Sequence, residues 1–127
     1  MMKLPFTITG HVIHGHSLGS TYDMPTANII PQEDISALKH GVYFSVITFD
    51  GKEYPAITNL GVRPTVSNDG TVNAETFIYD MSADIYDKNV SVNLLKFHRC
   101  EKRFTSQDEL FETIRKDILS GRHFHDL

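Results

Sequence analysis

The sequence predicts an all-β domain, a closed or nearly closed antiparallel barrel with one helix packed on it at the C-terminus. Three observations carry this reading. Runs of β-branched and aromatic residues recur from Phe6 to Phe97, and two of them flank the pair Asp50-Gly51. The one strong helical period of apolar residues comes last, after Ser106.

The first run, Phe6 to Ile13 (FTITGHVI), is broken by Gly10, which predicts a bulge or a close backbone approach. Gly41 to Phe49 (GVYFSVITF) is the strongest strand, and Lys52 to Leu60 (KEYPAITNL) follows it. Asp50-Gly51 between them predicts a hairpin, because both central turn residues tolerate positive φ. Pro55 inside the second run predicts an edge or a bulge, since proline cannot donate to a ladder. Thr76 to Asp80 (TFIYD) and Asn89 to Phe97 (NVSVNLLKF) read as further strands, the latter with Val90, Val92 and Leu94 on one face. Ser106 and Glu109 have capping-box spacing, and Leu110, Ile114 and Ile118 then recur every four residues, joined by Phe111. Gly121 is placed to close that helix as the residue just past its end. Two long segments, Gly15 to Asn28 and Asn59 to Glu75, read as loops, and loops of such length in a compact domain are usually functional or mobile.

The 127 residues fit one domain spanning residues 1–127, without repeat, low-complexity tract or linker. A formal net charge of −4 argues against a general nucleic-acid binder. A barrel that binds single strands would suit the strand count, but no aromatic-plus-basic stripe supports it. The single cysteine, Cys100, excludes an intrachain disulfide and is compatible with a reducing compartment. The opening MMKLPFTITG lacks the apolar run of a signal peptide, and no stretch approaches the ~18 apolar residues of a spanning helix. The expectation is a soluble cytoplasmic protein, monomeric, with neither membrane nor nucleic acid as partner.

Several residues could carry chemistry. Gly10, Gly15 and Gly19 surround a strand end, where glycines let backbone N–H groups crowd against a phosphate; turn formation explains them equally well. Thr26 and Asn28 in the run PTAN offer hard oxygen ligands suited to Mg²⁺, or they fix a turn through their own backbone. Arg63 could hold an anion. Glu75 is a candidate general base if a hydroxyl lies within hydrogen-bond reach, and otherwise a solvated surface charge. His11, His14 and His16 cluster, as do His123 and His125, but neither group has zinc-site spacing. No GxSxG is present, and nothing near Cys100 would lower its pKa.

The stretch GHVIHGHSLGSTYDMPTANI resembles the glycine-rich loop and PTAN motif of riboflavin kinases. NLGVRPT, AETFIYDMSADIYDKNVSV and HRCEKRFTSQDELFETIRKDI are similar to that family's later blocks, in the same order, from about Phe6 to Leu119. The resemblance implies a six-stranded antiparallel barrel with a C-terminal helix, a fold agreeing with the reading above. It implies transfer of the γ-phosphate of ATP to the 5′-hydroxyl of riboflavin, giving FMN. Nucleotide would be held by Gly10, Gly15, Gly19, Ser20, Thr26 and Asn28. Mg²⁺, with Mn²⁺ or Zn²⁺ as substitutes, would be ligated through Thr26 and Asn28. Glu75 would accept the riboflavin proton, and Asn59, Arg63, Thr65, Arg99 and Phe104 would hold the flavin. The family's bacterial members are often fused to an FAD synthetase domain. His14-Gly15-His16 does not match that domain's nucleotide site, so the chain is a stand-alone kinase or one part of a longer protein. Asp23 stands where the family has glycine. A carboxylate facing the phosphates would weaken ATP binding and leave a catalytically impaired, flavin-binding sensor as the alternative. An outward Asp23, bonding its own backbone in a turn, keeps the enzyme reading.

Overall fold

The computed structural model describes residues 3–13, 24–62, 70–82 and 85–127. Its strands are β1 (Phe6–His11), β2 (Thr26–Ile29), β3 (Gly41–Phe49), β4 (Lys52–Val62), β5 (Val72–Ile78) and β6 (Asn89–Cys100), and helix α1 spans Gln107–Phe124. Their order in the sheet is β1-β6-β3-β4-β5-β2, with every neighbouring pair antiparallel. The sheet curls until its two outer strands meet. The Ile13 amide donates to the Asn28 carbonyl at 2.8 Å, and the Gln32 amide to the Thr9 carbonyl at 3.0 Å. Gly10 lies in this seam, where an added Cβ would stand 2.9 Å from Ile29 Cβ and 3.1 Å from the Ile30 carbonyl oxygen. The close approach expected at Gly10 is therefore the closure of the barrel.

The sequence-based reading identified five of the six strands. The missing one is β2, whose first three residues, Thr26 to Asn28, fall at the end of the expected Gly15 to Asn28 loop. The second long loop is likewise shorter than expected. Asn59 belongs to β4, and β5 begins at Val72, so Glu75 is mid-strand rather than at a strand start. The hairpin at Asp50-Gly51 forms as expected, with φ of 52° and 75° at the two turn residues. Pro55 stands at a local edge, as expected, although β4 is an inner strand of the sheet: it is paired with Val46 of β3 and has no register partner on β5. Its carbonyl accepts from the Tyr79 amide, so its nitrogen also faces the β5 side. The β4–β5 register begins only at Ala56↔Ile78, so the absent donor removes no bond from that ladder.

Alternate residues fill the barrel interior, among them Ile8, Ile47, Leu60, Ile78, Val92 and Leu94, all essentially inaccessible to solvent. Polar residues there satisfy one another: Ser45 Oγ and Thr58 Oγ1 lie 2.8 Å apart, and Thr58 Oγ1 and Thr76 Oγ1 2.9 Å.

Helix α1 packs outside the barrel. Ser106 is its N-cap and accepts from the Glu109 amide at 3.1 Å, as the spacing predicts. Ile118 and Ile114 join Phe44, Ile57, Phe77 and Tyr79 in a second apolar cluster. Gly121 does not end the helix, which continues to Phe124 with His125 as C-cap. Gly121 instead marks the closest approach to the sheet. A Cβ there would overlap the Tyr79 hydroxyl and lie 2.5 Å from Ile57 Cγ2. The Tyr79 hydroxyl donates to the Ile118 carbonyl at 2.7 Å, pinning the helix at this point. Burial pushes the Tyr79 phenol well above its ordinary pKa, against the opposing pull of Arg122, so it remains a neutral donor.

Candidate active site on the outer face of the barrel

Side chains alternate between the two faces of a strand, and register decides which residues of different strands become neighbours. In β5, Ala74, Thr76 and Ile78 point inward, so Asn73, Glu75 and Phe77 point outward. Pairing extends this phase across the sheet. Asn28 opposes Glu75, Glu75 opposes Asn59, Asn59 opposes Val42, and Val42 opposes Arg99. One outer-face row thus draws a residue from each of five strands, with directly opposed Cβ atoms about 5 Å apart. A parallel row beside it runs Thr26, Phe77, Ile57, Phe44, Lys96. Sequence segments far apart in the chain are brought together by register alone.

Helix α1 and the segment before it cover part of this face and enclose a cavity of about 340 Å³. Val42, Ile57, Asn59, Glu75 and Phe77 form its floor, Leu110 and Ile114 its helical wall, and Lys102 and Phe104 its rim. This size lies within the range of small-ligand sites, and its apolar floor and helical wall are ringed by polar and charged side chains, among them Glu75, Arg99, Glu101 and Asp117. Glu75 is 5% exposed, Thr26 6% and Asn28 5%. The Asn28 Oδ1 accepts from Asn73 Nδ2 at 3.0 Å. The Asn59 Oδ1 is buried and has no hydrogen-bond partner among the described residues.

Arg99 closes one end. Its Nε and Nη2 donate to the two carboxylate oxygens of Asp117 at 2.8 and 2.6 Å, and its Nη1 to the Cys100 carbonyl at 3.0 Å. His98 Nε2 lies 3.4 Å from the same carboxylate. The guanidinium thus ties the cavity's helical wall to β6, so its contact with a ligand would be made while bound to Asp117. At the other side, the Glu101 side chain lies over Gly61, filling the space a Cβ would take.

The riboflavin kinase family profile matches residues 2–125. The chain belongs to the riboflavin kinase family. The Escherichia coli K12 bifunctional riboflavin kinase/FMN adenylyltransferase is 40% identical over 124 residues, covering 97% of this chain and 39% of that protein. The enzyme of the same name from Pseudomonas fluorescens is 36% identical over 122 residues, covering 96% of this chain and 39% of that one. The chain therefore spans about two fifths of the length of these relatives. The crystal structure of a riboflavin kinase from Trypanosoma brucei superposes with a TM-score of 0.64 at 24% identity, covering 93% of this chain and 78% of that one, which establishes the shared fold.

Among the residues singled out from the sequence, the riboflavin-kinase fold brings Thr26, Asn28, Asn59, Glu75, Arg99 and Phe104 to one outer face and its cavity. Gly10 lies in the barrel seam. Gly15, Gly19, Ser20, Asp23, Arg63 and Thr65 lie outside the described residues, as do His14 and His16. No group of three or more His, Cys, Asp or Glu side chains converges on a cation position among the described residues. Among the described residues no helix is long and apolar enough to cross a membrane. Sequence reasoning missed Asn73, Phe77 and Asp117. The phase of β5, with Asn73 and Phe77 two residues either side of Glu75, was the signal for two of them.

Proposed function

We propose that the chain transfers the γ-phosphoryl group of ATP to the 5′-hydroxyl of riboflavin, yielding FMN and ADP. One observation carries the proposal: the buried Glu75 lies in the floor of the cavity, with Asn28 directly across the ladder on β2 and Thr26 in the adjoining outer-face row. A phosphoryl acceptor seated in the cavity would present its hydroxyl near a carboxylate, with the polar PTAN strand alongside. In this reading the isoalloxazine ring lies between the apolar floor and the Leu110–Ile114 wall of α1, under Lys102 and Phe104. Glu75 orients the ribityl 5′-hydroxyl and accepts its proton as the new O–P bond forms and the bond to ADP breaks.

The donor set fits a hard cation. Thr26 supplies a hydroxyl, Asn28 a carboxamide oxygen with one lone pair left after its bond from Asn73, and Glu75 lies directly across the ladder from Asn28. Thr26 and Asn28 would hold Mg²⁺, with Mn²⁺ or Zn²⁺ as substitutes. When bound it would neutralise charge on the phosphates. The chain's own residues supply the rest: alignment of donor and acceptor, exclusion of water by α1, and the proton acceptor. Holding two reactants in line can lower a barrier by about 7–11 kcal/mol, so positioning can supply much of the catalysis.

The test is incubation with riboflavin, ATP and Mg²⁺, followed by chromatography for FMN, with and without excess chelator. FMN formed only when all three are present supports the reading. Undiminished FMN in chelator would remove the metal from it. Tight riboflavin binding without FMN would favour the flavin-sensor alternative.

A further inference from the structure

Asn73 is 1% exposed, a carboxamide buried on the outer face of β5 beside Glu75. Its partner across β4 is Gly61, so no side chain from that strand meets it directly. It reaches instead to β2, where its Nδ2 donates to Asn28 Oδ1 at 3.0 Å. Its own Oδ1 is buried without a hydrogen-bond partner among the described residues. Burying an amide with part of its hydrogen-bonding capacity unmet is costly, so apolar residues would be the more stable choice if Asn73 served only the core.

We infer that Asn73 is a positioning residue, acting through Asn28 to fix which end of that carboxamide faces a bound metal–nucleotide complex. The terminal torsion of asparagine is broad and roughly two-fold, so an untethered Asn28 could present either its oxygen or its nitrogen. Nitrogen would repel a cation. The donor from Asn73 selects the orientation in which Oδ1 is held, and leaves a second lone pair on that oxygen for a ligand. Outer partners of this kind orient the groups that touch a metal, and their loss typically weakens metal affinity or activity by about 10–100-fold. Asn73 is too deeply buried to touch substrate itself. The inference rests on the nucleotide–metal reading of Thr26 and Asn28 proposed above.

Calorimetric titration of ADP with and without Mg²⁺ tests it without turnover. In the unsubstituted chain Mg²⁺ should tighten ADP binding. Asn73→Ala should weaken ADP binding in Mg²⁺ by about 10-fold or more while leaving metal-free ADP binding and riboflavin affinity unchanged. Asn73→Asp, nearly the same shape, should weaken it at least as much, because its carboxylate would repel Asn28 Oδ1 and invert that carboxamide. It serves as the test if the alanine variant does not fold. In an Asn28→Ala background, Asn73→Ala should add no further loss. The inference is overturned if the two losses add in full, or if the Asn73 variants weaken ADP equally with and without metal, or not at all. Failure of the unsubstituted chain to bind ADP in Mg²⁺ would instead bring down the nucleotide–metal reading itself, and this inference with it.

Discussion

The clamp between Arg99 and Asp117 is the only described ion pair joining α1 to the barrel through both carboxylate oxygens, so breaking it should loosen the fold and the cavity together. Removing one partner of a fully buried pair costs about 3–5 kcal/mol, because the other charge is left without compensation. Here the Arg99 side chain keeps 18% exposure against 6% for Asp117, and His98 lies 3.4 Å from the same carboxylate. Both features soften the loss, so Arg99→Met should destabilise by ~2–3 kcal/mol. For a chain of this size that lowers Tm by roughly 6–15 °C. Asp117→Leu should cost a similar amount, leaving the guanidinium largely buried. The double variant should recover most of the loss, since replacing a buried ion pair by apolar groups is often near neutral. Urea unfolding of the four proteins gives the coupling energy, and fluorescence quenching gives riboflavin affinity. Each single variant should also bind riboflavin more weakly, because Leu110 and Ile114 line the cavity from the helix that the clamp holds. Single-variant costs below ~1 kcal/mol, or additive costs in the double variant, would refute the claim that the pair fastens the helix.

Glu75→Gln keeps the shape of the carboxylate but removes the proton acceptor, so turnover should fall by ~10²–10⁴ with riboflavin affinity little changed; steady-state kinetics and a binding titration check both halves. Thr26→Ala should raise the KM for ATP in the presence of metal while leaving the urea midpoint almost unchanged, since Thr26 lies on the outer face of β2 and not in the barrel interior. Gly121→Val should destabilise by ~2 kcal/mol or more, because its side chain meets Tyr79 and Ile57 rather than solvent. An unchanged thermal midpoint for Gly121→Val would show that the helix can move away from the sheet freely.

What the sequence revealed depended on how local each signal was. The Asp50-Gly51 hairpin and the Ser106 cap are written within a few residues, and both formed as read. Strand β2 has four residues, and the pattern Thr26, Ala27, Asn28, Ile29 alternates correctly, but its partner lies on β5, far along the chain. A period of two over so short a span cannot be told from a turn. The expectation for Gly121 fails because the local rule for glycine at a helix end ignores what the helix leans on. Only the tertiary contact with Tyr79 explains a glycine there. At Pro55 the local rule holds, because the β5 ladder stops one residue short of it and leaves an edge inside an inner strand. At the site, residue types were legible and their meeting was not. Asn28, Asn59 and Glu75 become neighbours through two independent registers.

Strand β6 makes the dependence on register most explicit. Val90, Val92 and Leu94 face the interior, and continuing that alternation would send Lys96 inward and leave Phe97 outside. The pairing skips Leu95, where Ser45↔Leu94 is followed by Phe44↔Lys96, and the phase reverses. Phe97 then turns inward onto Tyr43, with ring centroids 5.2 Å apart, while Lys96 turns out. That new phase would carry Arg99 into the barrel. A second skip at His98, between Tyr43↔Phe97 and Val42↔Arg99, reverses it again. His98 packs against Phe44, with ring centroids 4.7 Å apart, and Arg99 emerges on the outer row, in reach of Asp117. An extra residue on one strand of a ladder re-aims the side chains that follow it. Two such residues let β6 insert an aromatic ring into the core and still deliver a guanidinium to the cavity's edge. The site therefore requires the bulges as much as the residues they aim, for without the skip at His98 the same arginine would have no carboxylate and no place in the interior.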